Sequence, residues 1–443
     1  MPTLRSFRAL RYDPAVVGDL AAVLSPPYDV IAPGLQATLA ARHARNSVLL
    51  DLPPVAAGDA PGERYRRAAA AFGAWQDDGT LRRDPLASIY AYEQTYRVPG
   101  TSVERRQRGF FARLGLEAYG PTSGVRPHER TLGGPKDDRY ALLGVSGANF
   151  SAMVGLYRSP GGESGPILDA VAAGRPVLDA VDDDGVRHRL WTVTAGPDGE
   201  DGPAERLIAL AEAGPITIAD GHHRYETALR YRDAHFGAAS AGVDRVADFM
   251  LALLFDIGAT EMTILPTHRT VRGGPAGDAL LAAIGEFGDV ERLPSEVALA
   301  AAFPALRLEP TGDAEAGARI GVWTGSAAAR FRPRPGALEA HLAPGSSATL
   351  RSLGVSRLEG LLGAVFGLGP SELAAGGGVG YVRDASAACA VVDRDEADTA
   401  FLLQPVEAAD VFRIAAAGET MPQKSTYFFP KPATGLLFSP AEW

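Results

Sequence analysis

The spacing of apolar positions changes period several times along the chain, and each change marks an element. ERYRRAAAAFGAWQDD (63–78) sets Tyr65, Ala68, Phe72 and Trp75 three or four apart, which predicts a helix with one buried face. IYAYEQTYRV (89–98) alternates instead, with Tyr90, Tyr92, Gln94 and Tyr96 on one side. A VPGT turn and RRQRGFFARLGLE follow, so the spacing predicts a β-hairpin. SAMVGLYRS and VRHRLWTVTA predict further strands. PITIAD (215–220), Gly221 and HHRYETALRYRDAH predict a strand, a glycine turn and a helix start. DRVADFMLALLFDIG and MTILPTHRTV are expected to close the same sheet. Near residue 275 the composition shifts toward Ala, Gly and Pro, a plausible boundary. Beyond it, strands are expected at GVGYVRD, CAVVD and TAFLLQPV, a helix at EAADVFRIAAAG, and then the terminal MPQKSTYFFPKPATGLLF. The pattern predicts an α+β fold of mixed sheets with flanking helices. That boundary divides a domain over 1–275, which holds the HER and DGHHR segments, from an α+β domain expected over 276–443.

Composition narrows the function classes. Of 443 residues, 43 are basic and 53 acidic, for a net charge of −10, which argues against a nucleic-acid coat protein. Hydrophobic content of 46 % with 22 % charged residues excludes wholesale disorder. A lone cysteine, Cys389, excludes an intramolecular disulfide framework and a thiolate zinc site. The start, MPTLRSFRALRYDP, lacks the pattern of a signal peptide, and no apolar run reaches the roughly 18 residues a membrane span needs. A cytoplasmic protein is expected. Arginine so dominates the basic residues that only Lys136, Lys424 and Lys431 are lysine. Where codon bias favours Arg, each surviving lysine marks a position where the exchange was not neutral.

Candidate chemistry gathers in three segments. Helix N-termini present unpaired N–H groups and positive dipole, so the Asp220–Gly221 junction suits an anion. Gly221 permits a positive φ and close backbone approach. His223 and Arg224 would flank the opening, with the guanidinium suited to phosphate, and His222 lies nearer the packed side. Asp220 allows two readings: an N-cap acceptor, or a carboxylate beside a bound phosphate acting as general base or through Mg²⁺. No zinc spacing is present. The polar stretch RPHERTLGGPKDDRY (126–140) is expected to be a functional loop offering His128, Glu129, Arg130 and Lys136, with Glu129 a candidate base and Lys136 a point charge for phosphate. MPQKSTYFFPK contributes Lys424 and Lys431, either as a tail returning to the site or as a strand with snorkelling lysines. His268 is expected to be a satisfied structural histidine.

Taken together, SPPYDVI, RPHERT, PKDDR, GANFSAMVGLY, IADGHHRYETA, ILPTHR and MPQKSTYFFPK resemble the blocks of a widespread prokaryotic family known as a conserved domain of unknown function, sometimes called ParB-like. The resemblance spans nearly the whole chain. Within it, DGHHR resembles the phosphate-contacting element of the ParB/sulfiredoxin superfamily. Gly221-His222-His223-Arg224 stands where sulfiredoxin has Gly-Cys-His-Arg, so His222 replaces the reactive cysteine and sulfinic acid repair is not implied. ParB partition proteins have Gly-Glu-Arg-Arg there and a helix-turn-helix domain, which this chain lacks. The free-serine kinases also carry an Asp before the Gly. The resemblance therefore implies a ParB/sulfiredoxin-like nucleotide-binding core with large additions. It further implies phosphate contacts from His223 and Arg224, and Asp220 meeting the substrate. The expected function is a phosphotransferase using ATP or ADP with Mg²⁺ on a small hydroxylated metabolite such as free serine. In this reading Asp220, Glu129 and His222 are catalytic. Gly221, His223, Arg224, His128, Arg130, Lys136 and Lys424 bind the cofactor, and Asp220 meets the metal. The alternatives are a non-catalytic nucleotide- or metabolite-binding regulator, or a His/Asp metal-dependent hydrolase.

Overall fold

The computed structural model describes residues 1–120, 122–129, 134–196, 201–237, 245–306, 319–374 and 377–440. Among them, nine strands form one mixed sheet with the path Val125–Arg126, Ile216–Asp220, Met153–Tyr157, Phe249–Asp256, Glu104–Gly115, Ser88–Arg97, Arg187–Thr194 and Leu178–Val181. Leu4–Arg5 adds to Glu104–Gly115. The predicted hairpin is the centre of this sheet, with Tyr92 opposite Gly109 and Gln94 opposite Gln107. It is buried on both faces, because helices and the terminal segment cover what the alternation alone would leave half wet.

The predicted helix is Glu63–Asp77, whose Ala68, Phe72 and Trp75 pack with Tyr12, Phe150 and Phe438. A second, antiparallel sheet of six strands runs Gly288–Leu293, Ala328–Pro333, Ile320–Trp323, Thr399–Leu402, His268–Val271 and Val379–Val382. One apolar cluster joins residues of both sheets, from Phe7 and Tyr92 to Ile320 and Phe401.

Three expectations about elements are corrected. MTILPTHRTV does not close the first sheet: Thr263–Leu265 pairs with Tyr427–Phe429, and His268–Val271 joins the second sheet. CAVVD is not a strand but part of the helix Ala385–Asp393, which buries Ala385, Ala388, Cys389 and Val392 at helical spacing. Its β-branched valines are outweighed by a run of alanines and by the N-cap bond that Asp384 accepts from Ala387 N–H. Residues 134–140 are likewise not loop but the start of the helix Gly134–Ser146.

The terminal segment ties these layers together. Besides Tyr427–Phe429, it pairs Ser439–Pro440 with Ala148–Asn149 and bridges Phe438 to Leu10 and Thr434 to Ser25. No helix among the described residues is long and apolar enough to cross a membrane.

Candidate functional site

The strand Ile216–Asp220 is buried until its last residue, and its register against Met153–Tyr157 shifts between Ile218 and Asp220. Such an irregularity turns a strand's end out of the sheet. Gly221 follows at φ +87° and begins the helix His222–Phe236, where a Cβ would stand 2.8 Å from Arg224 Nε. A glycine is therefore required by both backbone and space. The edge strand Val125–Arg126 runs parallel to Ile216–Asp220, which brings His128 and Glu129 alongside the motif.

Asp220 accepts hydrogen bonds from two cations, Lys431 Nζ on one oxygen and Arg224 Nη2 on the other. Burial acts to raise its pKa, and Lys431 and Arg224 outweigh burial, so the carboxyl is held well below the usual range. Burial alone would neutralise Lys431. Asp220 and Asp29 overcome that and keep its ammonium charged, with the Tyr427 ring centroid 5.2 Å away. The pair is thus a genuine ion pair inside the protein, and Asp220 is not an N-cap for its helix.

Two histidines pack beside it, ring centroids 4.8 Å apart. His128 is buried. Its Nδ1 faces the Ile218 carbonyl, which can only accept, so Nδ1 carries the proton and Nε2 accepts from Thr426 Oγ1 at 2.8 Å. His222 Nε2 accepts the His128 backbone N–H at 3.3 Å, so its neutral form is protonated on Nδ1. Burial lowers both pKa values, His222 the more strongly, and the His128 ring lowers His222 further.

Glu129 holds backbone. Its two oxygens accept the Lys424 N–H at 2.8 Å and the Ser425 N–H at 3.2 Å. Arg269, with its pKa lowered to about 10 by burial, donates to the Lys424 carbonyl at 3.0 Å and lies 4.8 Å from the Tyr381 ring centroid. This clamp holds Lys424, at φ +56°, in the wall of a cavity.

These groups surround a cavity of about 250 Å³. Of the residues proposed from sequence, His128, Glu129, Asp220, His222 and Lys424 line it. Arg224 does not: it lies behind Asp220 beside Asp51 and Arg139, within the protein. Gly221 and His223 are outside the lining as well. Lys136 pairs with Glu226 of the motif helix and is not among the residues lining the cavity. Arg130 falls outside the described residues. The remaining conspicuous charges of PKDDR are structural, since Asp138 links Arg64 to Arg139 and the Arg139 guanidinium lies 4.0 Å from the Tyr28 ring centroid.

Sequence reasoning offered Lys431 only as part of a tail returning to the site and gave it no role there, and it missed Asp29, Thr267, Tyr381, Arg383 and Tyr427 as cavity residues. Asp29 belongs to SPPYDVI and Lys431 to the lysine-poor count, so both carried a signal. Arg383, 3.7 Å above the Tyr427 ring centroid, carried none.

A mixed-sheet protein with a polar, lysine-lined cavity at a strand–glycine–helix junction is the class this geometry defines. The chain belongs to the family described as protein of unknown function (DUF1015), whose model matches residues 4–356. No curated protein matches it. Among solved structures it is similar to a conserved hypothetical protein from Pyrococcus furiosus, at 12 % identity over 69 % of this chain and 87 % of that one, TM-score 0.34. It is similar to a free serine kinase in complex with AMP, at 13 % identity over 75 % and 90 %, TM-score 0.36. A C-terminally truncated SbnI from Staphylococcus aureus gives 10 % identity over 71 % and 83 %, TM-score 0.34. Likenesses this weak do not establish a shared fold.

Proposed function

We propose that this cavity binds the phosphate end of a nucleotide, ATP or ADP, together with a small hydroxylated metabolite, and that the protein transfers phosphoryl between them. Free serine is the first acceptor to test. The observation that carries the proposal is the setting of Asp220: an ionised carboxylate at the cavity wall, with Lys431, Lys424 and Arg383 lining the same space. Three cations around one carboxylate suit an anionic ligand that also offers a hydroxyl donor. A carboxyl held so far below its usual pKa is a weak base. Its role is to accept the hydrogen bond of the attacking hydroxyl and orient it. The substrate oxygen then bonds to phosphorus as the bond to the nucleotide oxygen breaks, the hydroxyl proton passes to an oxygen of the transferred phosphoryl group, and the lysines and Arg383 offset the charge on that group. His222 and His128, kept neutral, shape the wall without adding charge.

Lys431 and Arg224 each bond one oxygen of Asp220, so a Mg²⁺ there would stand against two fixed cations, whereas a neutral hydroxyl can still donate to a remaining lone pair. No group of three His, Cys, Asp or Glu side chains able to hold a metal occurs among the described residues. The reading assigns this chain's cations to the phosphate. Binding without turnover is the second reading, favoured by the completeness with which Asp220 is neutralised.

Calorimetric titration with ATP, ADP and AMP, followed by ³¹P NMR of the protein with nucleotide and serine, separates these. Saturable nucleotide binding with phosphoserine formation is expected, and Lys424→Met should weaken binding about tenfold or more. Binding with no product from any hydroxylated metabolite would leave the regulator reading. No nucleotide binding at all would sink both.

A further inference from the structure

A second cavity, of about 190 Å³, lies in the C-terminal half where the strand Ala328–Pro333 ends beside the helices Ala348–Ser352 and Gly354–Phe366. Each of these elements brings one arginine to its wall: Arg334, just past the strand, Arg351 and Arg357. What holds the three is backbone. Arg334 Nη2 donates to the Glu286 carbonyl, Arg351 Nη1 to the Ser346 carbonyl at 2.7 Å, and Arg357 Nε to the Arg351 carbonyl at 3.3 Å. A carbonyl fixes a guanidinium without neutralising it, so the forks are positioned and their charge stays available.

Exposed arginines elsewhere in this acidic chain find carboxylates: Arg187 bonds Asp179 at 2.7 Å, and Arg394 bonds Glu396 at 2.7 Å. Here the one carboxylate in the lining is Glu339, 3.9 Å from Arg351 Nε and beyond hydrogen-bond reach. Among the described residues, none of the three guanidiniums is hydrogen-bonded to a carboxylate. Arg357 is half-buried, and burial together with the charge of Arg332 lowers its pKa, so the cluster repels itself and an anion would relieve it.

The lining also gives the ligand its character. Three guanidiniums against one carboxylate leave an excess of two positive charges, which a dianion matches. Leu338 and Leu342 supply an apolar side. We infer that this cavity binds the phosphate dianion of a small phosphomonoester, with the phosphate oxygens on Arg334, Arg351 and Arg357 and the carbon chain along Leu338 and Leu342. The site shares no lining residue with the lysine-lined cavity and is independent of the reading given for that cavity.

The test is calorimetry and amide hydrogen exchange on the full chain with glycerol 3-phosphate, inorganic phosphate, acetate and glycerol. Exchange locates the site, because a phosphate seated here protects 334–342 and 348–357, whereas one in the lysine-lined cavity protects 218–224 and 424–431. Glycerol 3-phosphate is expected to protect the first pair of segments, acetate to bind at least about tenfold more weakly, and glycerol to leave exchange unchanged. Inorganic phosphate should protect the same segments with lower affinity; equal affinity would overturn the ester and make this a site for free phosphate. Arg334→Gln, at an exposed position, and Arg357→Met should each weaken glycerol 3-phosphate binding about tenfold. No protection of 334–342 and 348–357 at concentrations well above a millimolar Kd would overturn the inference. Protection that both variants leave unchanged, or that acetate produces equally, would do the same.

Discussion

At the residue scale, the centre of the site is one carboxylate and two cations. Asp220, Lys431 and Arg224 are all withdrawn from solvent, so the triad is favourable only as a unit. Removing one partner leaves a buried charge partly uncompensated. Lys431→Met is expected to lower stability by about 3 kcal/mol. The double variant Lys431→Met/Asp220→Asn should cost less than the sum of its singles, since the second change removes the orphaned charge. Urea titrations of the four proteins measure this, and strict additivity would contradict the pairing. The sign with pH follows from the lowered carboxyl. The native form holds its proton less tightly than the unfolded 3.8, so the triad's contribution is complete above that value and is lost as pH falls below it.

At the element scale, two local devices aim the functional groups. Gly221 combines a positive φ with a space that Arg224 already fills, so Gly221→Ala should cost about 1–2 kcal/mol and disturb the Asp220–Arg224 contact. The turn at Lys424 is the opposite case. A non-glycine residue at φ +56° pays for its side chain in backbone energy, which makes sense if the ammonium is needed there. Lys424→Gly should leave the melting temperature equal or slightly higher while weakening nucleotide binding. A large loss of stability instead would mean the lysine side chain supports the fold. Much of this element layer was legible: the strand–glycine–helix motif, the hairpin and the Trp75 helix follow from period and breakers. The helix Ala385–Asp393 was not, because a short apolar run reads alike in both states and only its packing decides.

At the scale of the whole molecule, stability is tied to keeping several histidines neutral. His128 and His268 are buried and His222 is half-buried at the cavity wall, all with lowered pKa values, His268 to about 4, each chiefly through loss of hydration. Their unfolded forms bind protons from about pH 6.5 downward while the native forms do not, so unfolding takes up protons and stability falls as pH drops from 6.5 toward 4. Calorimetric melting temperatures across that range should decline steeply, and His268→Gln should flatten the slope by about one proton if Gln also accepts the Leu403 N–H that His268 Nδ1 now receives at 3.1 Å. A flat profile would mean these rings are charged in the native state.

What the sequence determined alone was chemistry at short range. Its periods set the main elements, its acidic balance argued against a nucleic-acid coat, and Asp220-Gly221-His222 announced a strand–glycine–helix junction within a few residues. The scarcity of lysine pointed to the terminal segment, although Lys136, singled out by the same count, pairs with Glu226 and does not line the cavity. Only the tertiary structure decided which charges share a cavity. Arg224 is four residues from Asp220 and sits behind it, whereas Lys431 is 211 residues away and sits on it. That outcome is set by the long return of residues 421–440 across both sheets, a matter of register and burial over the whole chain that no local spacing encodes.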